Sequence, residues 1–192
     1  MLYFKSIRWK NLLSTGNQFT EIQLDKISTT LIVGENGSGK STVLDALCFG
    51  LFSKPFRRIN RPQLINSIND GGLLVEIEFE VGSRSYMVRR GIKKNIFEIF
   101  IDGKRLNQDA KTADQQEYLE KTILKLNYKS FTQIVLLGAN HYIPFMQLKS
   151  VDRRTIIEDL LDIQIFSVMN GLLKFKISEN KEESQNIEIN RS

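Results

Sequence analysis

A glycine-rich loop between two apolar segments constrains the fold of this chain more than any other feature. The stretch LIVGENGSGKSTVLDALCFGLF places GENGSGKS, residues 34–41, after the short apolar segment 29–33 and before a run with apolar residues at helical spacing. It matches the phosphate-loop pattern G-x-x-x-x-G-K-[ST], which requires a buried strand before it and a helix after it. We therefore expect residues 29–33 to form a strand covered on both faces, and a helix to begin near Lys40.

The residues of this loop have separate roles in binding a phosphate chain. Glycines allow consecutive backbone N–H groups to surround phosphate oxygens without Cβ clashes, and the following helix adds the partial positive charge of its N-terminus. Lys40 is expected to neutralise charge on the β- and γ-phosphates, and the Ser41 hydroxyl to coordinate Mg²⁺, which prefers oxygen ligands. The loop therefore predicts binding of a nucleoside triphosphate with Mg²⁺.

Hydrolysis needs a carboxylate that this sequence does not supply in the usual context. Such a carboxylate follows an apolar strand and holds the metal through water. Of two candidate segments, LLVE (residues 73–76) belongs to a half-exposed alternating strand, and TIIED (residues 155–159) lies in a predicted helix. We therefore expect the acidic residue to come from another chain or from another part of the protein.

Alternation of apolar and polar residues predicts an antiparallel sheet. Residues 3–10 and 21–24 read as a pair of strands, and residues 73–81 alternate between apolar residues and glutamates. SYMVRRG and NIFEIFIDGKRL follow as further strands, and the second contains Asp102-Gly103, a dipeptide that favours a tight hairpin. The sequence thus predicts a β-meander of three or four strands.

Apolar residues that recur at helical spacing predict three helices, and the composition of the remaining segments indicates whether they are buried or exposed. One helix follows the loop, a second covers residues 113–127, and a third has Ser150 as its N-cap. The apolar segment 131–138 is expected to be buried. Residues beyond Phe166 are polar and form either a frayed tail or the first turns of a long helix. The apolar face expected for the third helix is Ile156, Ile157, Leu160 and Leu161, with Ile163 as a further candidate.

Composition limits the partners and the compartment. The 192 residues carry 27 Lys and Arg against 22 Asp and Glu, and the net charge of +5 is compatible with an anionic partner or with ordinary solubility. The single cysteine, Cys48, is expected to be a buried apolar residue in a reducing compartment. Without a signal-peptide pattern or an apolar run of membrane-spanning length, the sequence favours a cytoplasmic protein that has no membrane partner.

Several of these segments together resemble a known family. IRWKNLLS, the loop followed by LDA, the meander, FTQIVLLG and RRTIIEDLLDI are similar to the N-terminal ATPase half of SbcC-type proteins. These are the SMC-like DNA double-strand-break repair ATPases of the Mre/Rad complexes, and they include the recombination endonuclease subunits of phages. The resemblance implies an α/β P-loop NTPase fold: the N-terminal lobe of an ABC/SMC-type ATPase head in residues 1–166, followed by a coiled-coil arm or flexible tail in residues 167–192.

The resemblance also implies roles for individual residues. Gln133, which from sequence alone could simply be a polar residue ending a strand, resembles the Q-loop glutamine that contacts Mg²⁺ and the attacking water. Lys40 would be its catalytic partner, and Ser41 the second Mg²⁺ ligand. Many relatives carry arginine where this chain has Leu13, and His141 does not correspond to the switch histidine of the family. The residues expected to bind ATP are Gly34, Asn36, Gly37, Ser38, Gly39, Lys40, Ser41 and Thr42.

By the same resemblance, the chain is half of a DNA recombination and repair ATPase that binds Mg-ATP and regulates a partner nuclease at DNA ends. The Walker B acids and the signature motif would lie in a C-terminal lobe beyond a coiled coil, so that this half alone would be inactive. Two complete heads would form a head-to-head homodimer. A nuclease subunit of the SbcD/Mre type and double-stranded DNA would be the other partners.

Two groups of basic residues are candidates for DNA contact. Such groups can neutralise backbone phosphates without reading sequence, although they can equally be solvated surfaces. The first group is Lys54, Arg57, Arg58 and Arg61, and the second is Arg84, Arg89, Arg90, Lys93, Lys94, Lys104 and Arg105.

Two other functions are compatible with the sequence. A self-sufficient small P-loop kinase would use the arginines of the first basic group in a lid, but it lacks a nearby acid. A nucleotide-independent structural module would cap a coiled coil. Phosphoryl transfer by the isolated chain would favour the kinase, and unchanged melting with saturating Mg-ATP would favour the structural module.

Overall fold

Two units make up the chain, Met1–Tyr142 and Ile143–Ser192. The structure is a computed structural model, and it describes residues 2–27, 29–69, 71–106, 112–136, 143–161 and 163–189. Among the helices so described, none is both long enough and apolar enough to cross a membrane.

The predicted antiparallel sheet is present in the first unit. Its six strands are β1 (Leu2–Lys10), β2 (Thr20–Gln23), β3 (Leu74–Val81), β4 (Arg84–Gly91), β5 (Phe97–Ile101) and β6 (Lys104–Arg105). They lie in the order β2-β1-β3-β4-β5-β6, so that β1 lies between β2 and β3 and pairs antiparallel with both. Strands β3 to β6 form the predicted meander, in which successive strands pair with each other.

The period of two in the sequence fixes which face of the sheet is apolar. In β3, Val75, Ile77 and Phe79 are fully buried, as the alternation predicts. The predicted hairpin is confirmed between β5 and β6, where Asp102 and Gly103 have φ angles of 49° and 76°. Positive φ at both central residues is the geometry of a type I′ turn, one of the two favoured two-residue hairpins.

Helix α1 (Thr42–Phe52) follows the glycine loop and packs against β1, β3 and β4. Its residues are buried almost without exception, which confirms the helix and the burial predicted for Cys48. The helix approaches the sheet so closely at Gly50 that a Cβ there would clash with Ile77 and Val75. Burial of α1 against the sheet therefore forms the main core of this unit.

The helix predicted at residues 113–127 is present, but its second half is π-helical rather than α-helical. Helix α2 (Thr112–Tyr118) continues into a π-helical segment, Leu119–Leu124, which buries Leu119 and Ile123. The apolar segment 131–138 was expected to be buried, and this is wrong in part. Helix α3 (Tyr128–Ile134) buries Phe131 but leaves Ile134 more than a third exposed, while residues 137 and 138 lie outside the described residues.

The strand predicted at residues 29–33 is wrong. The segment has no regular secondary structure, and Leu31 and Val33 are 84% and 80% exposed. A strand needs a neighbour to accept and donate its backbone hydrogen bonds. Among the described residues, none pairs with this segment.

In the second unit, helix α4 (Ser150–Leu160) confirms the third predicted helix, but Lys149 rather than Ser150 precedes its first turn as the cap. Ile156 is buried, whereas Ile157 is exposed; so are Leu160 and Leu161. Helix α5 (Gln164–Ile189) is continuous for 26 residues. Up to Ile189, the polar segment beyond Phe166 is therefore helical, as the second of the two alternatives predicts.

Candidate nucleotide-binding site

The glycine loop forms a series of turns with donor groups that are not used by the protein. Gly37 and Gly39 have φ angles of 86° and 95°, a conformation that favours glycine. Within the described part of the chain, the backbone N–H groups of Gly37, Gly39, Lys40 and Ser41 have no hydrogen-bond acceptor. Adjacent unpaired N–H groups at the start of a helix are a favourable environment for an anion.

Lys40 folds back over the beginning of the loop. Its ammonium group donates to the carbonyl oxygens of Gly34 at 2.7 Å and Glu35 at 2.6 Å. The turn between them is held by a hydrogen bond from the Ser38 N–H to the Glu35 carbonyl at 3.2 Å. The lysine charge is therefore held beside the unpaired N–H groups, where an anionic oxygen could compete for it.

An open cleft of about 290 Å³ lies on this loop, and we call it the loop cleft. It brings the loop together with a segment that follows β1 and with one arginine that follows α1. Of the residues predicted to bind ATP, Gly34 and Ser38 do not line it. The lining residues are Leu13, Ser14, Asn36, Gly37, Gly39, Lys40, Ser41, Thr42 and Arg57.

Buried asparagines hold the segment that carries Leu13 and Ser14. The Asn11 side chain donates to the Asn17 side chain at 3.0 Å and to the Gly72 carbonyl at 3.2 Å. Asn66 donates to the Thr15 carbonyl at 3.0 Å. Leu13 itself has a φ of 53°, which is uncommon for a bulky residue and costs energy that these hydrogen bonds must offset.

A buried carboxylate holds Arg57 at the edge of the loop cleft. Asp45, in the first turn of α1, is only 1% exposed. Its Oδ1 accepts the Arg57 backbone N–H at 3.1 Å, and its Oδ2 lies 2.7 Å from both Nε and Nη2 of the same residue. Because both carboxylate oxygens bind one residue, the backbone and the side chain of Arg57 are both fixed.

Two titratable groups near Asp45 are held in their neutral forms. Burial, with a smaller contribution from the Asp45 charge, raises the pKa of the Cys48 thiol. Burial also raises the pKa of Tyr128 to about 12, with smaller contributions from Cys48 and Asp45. The Tyr128 hydroxyl donates to the Pro55 carbonyl at 2.8 Å. The raised pKa values keep both groups uncharged beyond the pH at which an exposed thiol or phenol ionises.

Gln133, the predicted catalytic glutamine, lies in α3 and is not one of the residues that line the loop cleft. Its side-chain oxygen is buried and has no hydrogen-bond partner among the described residues. A buried acceptor without a partner is uncommon and requires an explanation. The catalytic role of Gln133 stays a prediction, and His141 lies outside the described residues.

Within the second basic group, Arg89 and Arg105 form ion pairs with acidic residues, and DNA contact by this group stays a prediction. Buried Glu76 accepts from Arg8 and Arg89, and Glu98 accepts from Arg89 and Arg105. These alternating charges form a ladder across strands β1 and β3 to β6.

Arg90, from the same basic group, is buried. It donates from Nε to the Gly50 carbonyl at 2.8 Å, and its guanidinium lies 3.7 Å from the centre of the Phe97 ring. It therefore holds the end of α1 against the meander and is not available to a phosphate backbone.

Sequence reasoning missed the residues that shape the cleft around the loop. Asp45 is the single acidic residue of the helix TVLDALCFGLF, and a lone carboxylate in an apolar helix is a signal of a buried ion pair. Its partner could not be named because Arg57, Arg58 and Arg61 are equivalent in sequence. The sequence does not indicate that Asn11 and Asn66 are buried. Their hydrogen bonds to Gly72 and Thr15 join segments that are distant in sequence and meet only in the folded chain.

Comparison with known proteins places this site in a family. The family model described as AAA domain matches residues 6–191. Exonuclease subunit 2 of Escherichia phage RB69 is 45% identical over 179 residues, which cover 93% of this chain and 32% of that protein. A DNA double-strand break repair Rad50 ATPase of Thermoplasma volcanium is 28% identical over 184 residues, which cover 93% of this chain and 20% of that protein.

The fold is that of SMC-type ATPase heads. The Smc head domain with a coiled coil and joint from Pyrococcus yayanosii superimposes with a TM-score of 0.64 at 21% identity, covering 95% of this chain and 37% of that one. This similarity concerns the fold alone. The chain spans about a third of the length of the phage relative and a fifth of the length of the Rad50 relative.

Proposed function

The chain belongs to the AAA domain family, and we propose that it binds Mg-ATP as the N-terminal half of a DNA recombination and repair ATPase. The observation that carries this proposal is the cluster of unpaired N–H groups in the loop cleft, beside the Lys40 ammonium. Donors in that arrangement suit a chain of phosphate oxygens. The names of the phage and Rad50 relatives support recombination and repair as the process.

The residues of the loop cleft fit this ligand, and each has a distinct role in the proposal. Lys40 would exchange its contacts with the Gly34 and Glu35 carbonyls for phosphate oxygens, and the N–H groups of Gly37, Gly39 and Ser41 would bind the same chain. The Ser41 hydroxyl and the unpartnered Gln133 oxygen are the proposed Mg²⁺ ligands. Bound Mg²⁺ supplies positive charge that stabilises the phosphates during transfer.

We propose that ATP hydrolysis requires a C-terminal lobe in addition to these residues. The exposed apolar segment at residues 31–33 supports this proposal, because Leu31 and Val33 have the side chains of a core strand without a neighbour among the described residues. A strand from the second lobe would pair with it. The isolated chain is then expected to bind nucleotide and to hydrolyse it very slowly.

The proposed assembly has further partners. The division proposed is a head lobe in residues 1–166 and a coiled-coil arm in residues 167–192, and the second is supported by the 26-residue helix α5. Its exposed apolar residues Met169, Leu172 and Leu173 suit packing against a second helix. A head-to-head homodimer, a nuclease subunit and double-stranded DNA are the other proposed partners.

Thermal unfolding in the presence of nucleotide tests the binding proposal. Mg-ATP at about 100 times its Kd is expected to stabilise the chain by about 2.7 kcal/mol. Lys40→Ala should remove this stabilisation, and Lys26→Ala, which removes an exposed lysine outside the cleft, should retain it. An unchanged melting temperature of the unmodified chain with saturating Mg-ATP would contradict the proposal and favour a structural module.

The same preparation separates an ATPase half from a small kinase. Phosphoryl transfer at ordinary enzyme rates by the isolated chain would favour the kinase. Mixing with the proposed C-terminal lobe is expected to start ATP hydrolysis, and Gln133→Ala should then lower the rate without weakening ATP binding.

A further inference from the structure

We infer that Asn36, which precedes Gly37 in the glycine loop, is a site of spontaneous deamidation and that this modification weakens binding in the loop cleft. The reaction itself does not depend on the proposed function, whereas its effect on binding rests on it. Asparagine followed by glycine occurs twice in this chain, at residues 36–37 and at residues 170–171. The first of these pairs lines the loop cleft.

The reaction needs a particular arrangement of two neighbouring residues. The backbone nitrogen after the asparagine loses its proton and attacks the side-chain carbonyl carbon Cγ. A bond from this nitrogen to Cγ closes a five-membered imide, the bond between Cγ and Nδ2 breaks, and the side-chain nitrogen leaves as ammonia with the proton. Water then opens either imide carbonyl, which gives aspartate or isoaspartate. A glycine in the second position favours the attack, because no Cβ hinders the approach.

The structure leaves both reacting groups of the loop pair unengaged. Asn36 and Gly37 are the central residues of a turn, which is closed by the Ser38 N–H donating to the Glu35 carbonyl at 3.2 Å. The φ of 86° at Gly37 fits the third position of a type II turn. Both residues are exposed, and in the described part of the chain neither the Gly37 N–H nor the Asn36 side chain has a hydrogen-bond partner.

The second pair provides a matched comparison inside the same chain. Asn170 is exposed as well, but Asn170 and Gly171 lie within helix α5. A helical N–H donates to the carbonyl four residues earlier, and the helical dihedrals hold the backbone nitrogen in place. Attack at this pair therefore requires local opening of α5, whose free-energy cost lowers the rate. The two pairs share their residues and their exposure and differ in backbone structure.

Either product changes the loop cleft. Asn36 lines the cleft together with Gly37 and Lys40. Aspartate at this position adds a negative charge close to the site proposed for phosphates, and it competes with them for the Lys40 ammonium. Isoaspartate adds one atom to the backbone between residues 36 and 37, which disrupts the turn that orients the Gly37 N–H. Both products are therefore expected to weaken the binding of a polyphosphate.

Peptide mass spectrometry of the full chain, incubated at mildly alkaline pH, tests the site itself. Conversion of the amide to the acid should be at least about 10-fold faster at Asn36 than at Asn170 in the native chain. In urea the two rates should agree within about 3-fold, because neither pair then has a fixed backbone. Equal native rates would overturn the inference. A difference of the same size in urea would also overturn it, since the backbone structure would then not be its cause.

Calorimetry with Mg-ATP and with inorganic tripolyphosphate tests the effect on binding. Asn36→Asp, which reproduces one of the two products, is expected to bind both ligands at least about 10-fold more weakly than the unmodified chain. An incubated sample should lose binding in proportion to the fraction converted at Asn36. Unchanged affinity of Asn36→Asp together with undiminished binding by the converted sample would overturn the effect on binding.

Asn36→Gln separates this modification from other damage during incubation. The longer side chain would have to close a less favourable six-membered ring, so this variant should retain the affinity that it has when fresh. The same loss of binding in Asn36→Gln as in the unmodified chain would place the damage elsewhere and contradict the inference. The melting temperature of each sample without ligand reports any loss of folded protein.

Protection by ligand connects the modification with the proposed function. Mg-ATP at about 100 times its Kd should slow conversion at Asn36 by at least about 10-fold, since the bound phosphates would occupy the Gly37 N–H. Conversion at Asn170 should not change. Unprotected conversion in a chain that binds Mg-ATP would overturn this connection. If the unmodified chain binds neither ligand, the proposed function fails, whereas the rates at Asn36 and Asn170 still decide the deamidation site.

Discussion

Two apolar segments flank the glycine loop, and they differ in burial. Helix α1 after the loop is buried almost completely, whereas residues 31–33 before the loop are exposed, with Leu31 at 84%. Their apolar character is similar, so hydrophobicity does not explain the difference. Helix α1 has strands β1, β3 and β4 to pack on, while residues 31–33 have no paired strand in the described parts of the chain.

The difference shows how the two kinds of backbone obtain their hydrogen bonds. A helix satisfies its own N–H and C=O groups and needs only a surface for its side chains. A strand needs a neighbouring strand for its backbone as well. The segment before the loop therefore lacks, among the described residues, the neighbouring strand that it would need, whereas the helix after the loop has its packing surface within the chain.

Truncation of one apolar side chain on each side of the loop gives the largest expected contrast. Phe49→Ala, in the buried helix, should lower the free energy of unfolding by about 3 to 5 kcal/mol. Leu31→Ala should change it by less than about 0.5 kcal/mol. Urea unfolding followed by circular dichroism measures both, and a cost for Leu31→Ala close to that for Phe49→Ala would show that residues 31–33 are buried in the isolated chain.

Glycine substitution tests how closely α1 lies on the sheet. Gly50→Ala should destabilise the protein by about 1 to 3 kcal/mol, because the added Cβ clashes with Ile77 and Val75. Gly171→Ala is the matched control: this helical glycine has no atom near the added Cβ, and alanine there should be neutral or stabilise by up to about 1 kcal/mol. Equal effects at the two glycines in thermal unfolding would argue against close packing of α1.

Thiol reactivity gives a smaller and more local test of the buried helix. Burial raises the pKa of Cys48, so the native thiol stays protonated at pH values where an exposed cysteine begins to ionise. Alkylation by iodoacetamide at pH 8 should be about a hundredfold slower in the native chain than in urea. In urea the rate should rise with pH through the ordinary thiol pKa, while in the native state that rise should move to higher pH. Similar native and unfolded rates would mean that α1 opens readily.

The sheet and α1 could be predicted because their signals are local. The alternation in residues 73–81, the Asp102-Gly103 hairpin and the loop motif each depend on neighbouring residues in sequence. The segment 29–33 was predicted wrongly because its apolar composition suits a strand, but none of the described residues pairs with its backbone.

Within the site, the sequence could indicate the loop residues but not the side chains that meet them. The contact of Asp45 with Arg57 depends on how the chain turns after α1, and the pairing of Arg89 with Glu76 depends on strand register. The sequence therefore could not show which arginines are buried or form ion pairs, and DNA contact stays a prediction.

Backbone amide shifts in a titration with Mg-ATP test the central claim most directly. Two-dimensional ¹⁵N–¹H spectra of the full chain should show the largest shifts at Gly37, Gly39, Lys40 and Ser41, whose N–H groups have no acceptor in the described structure. The shifts should saturate with one Kd and should be absent in Lys40→Ala. Saturation with Mg-ATP that leaves these four amides unchanged would contradict the account, because the loop would then not be the binding site.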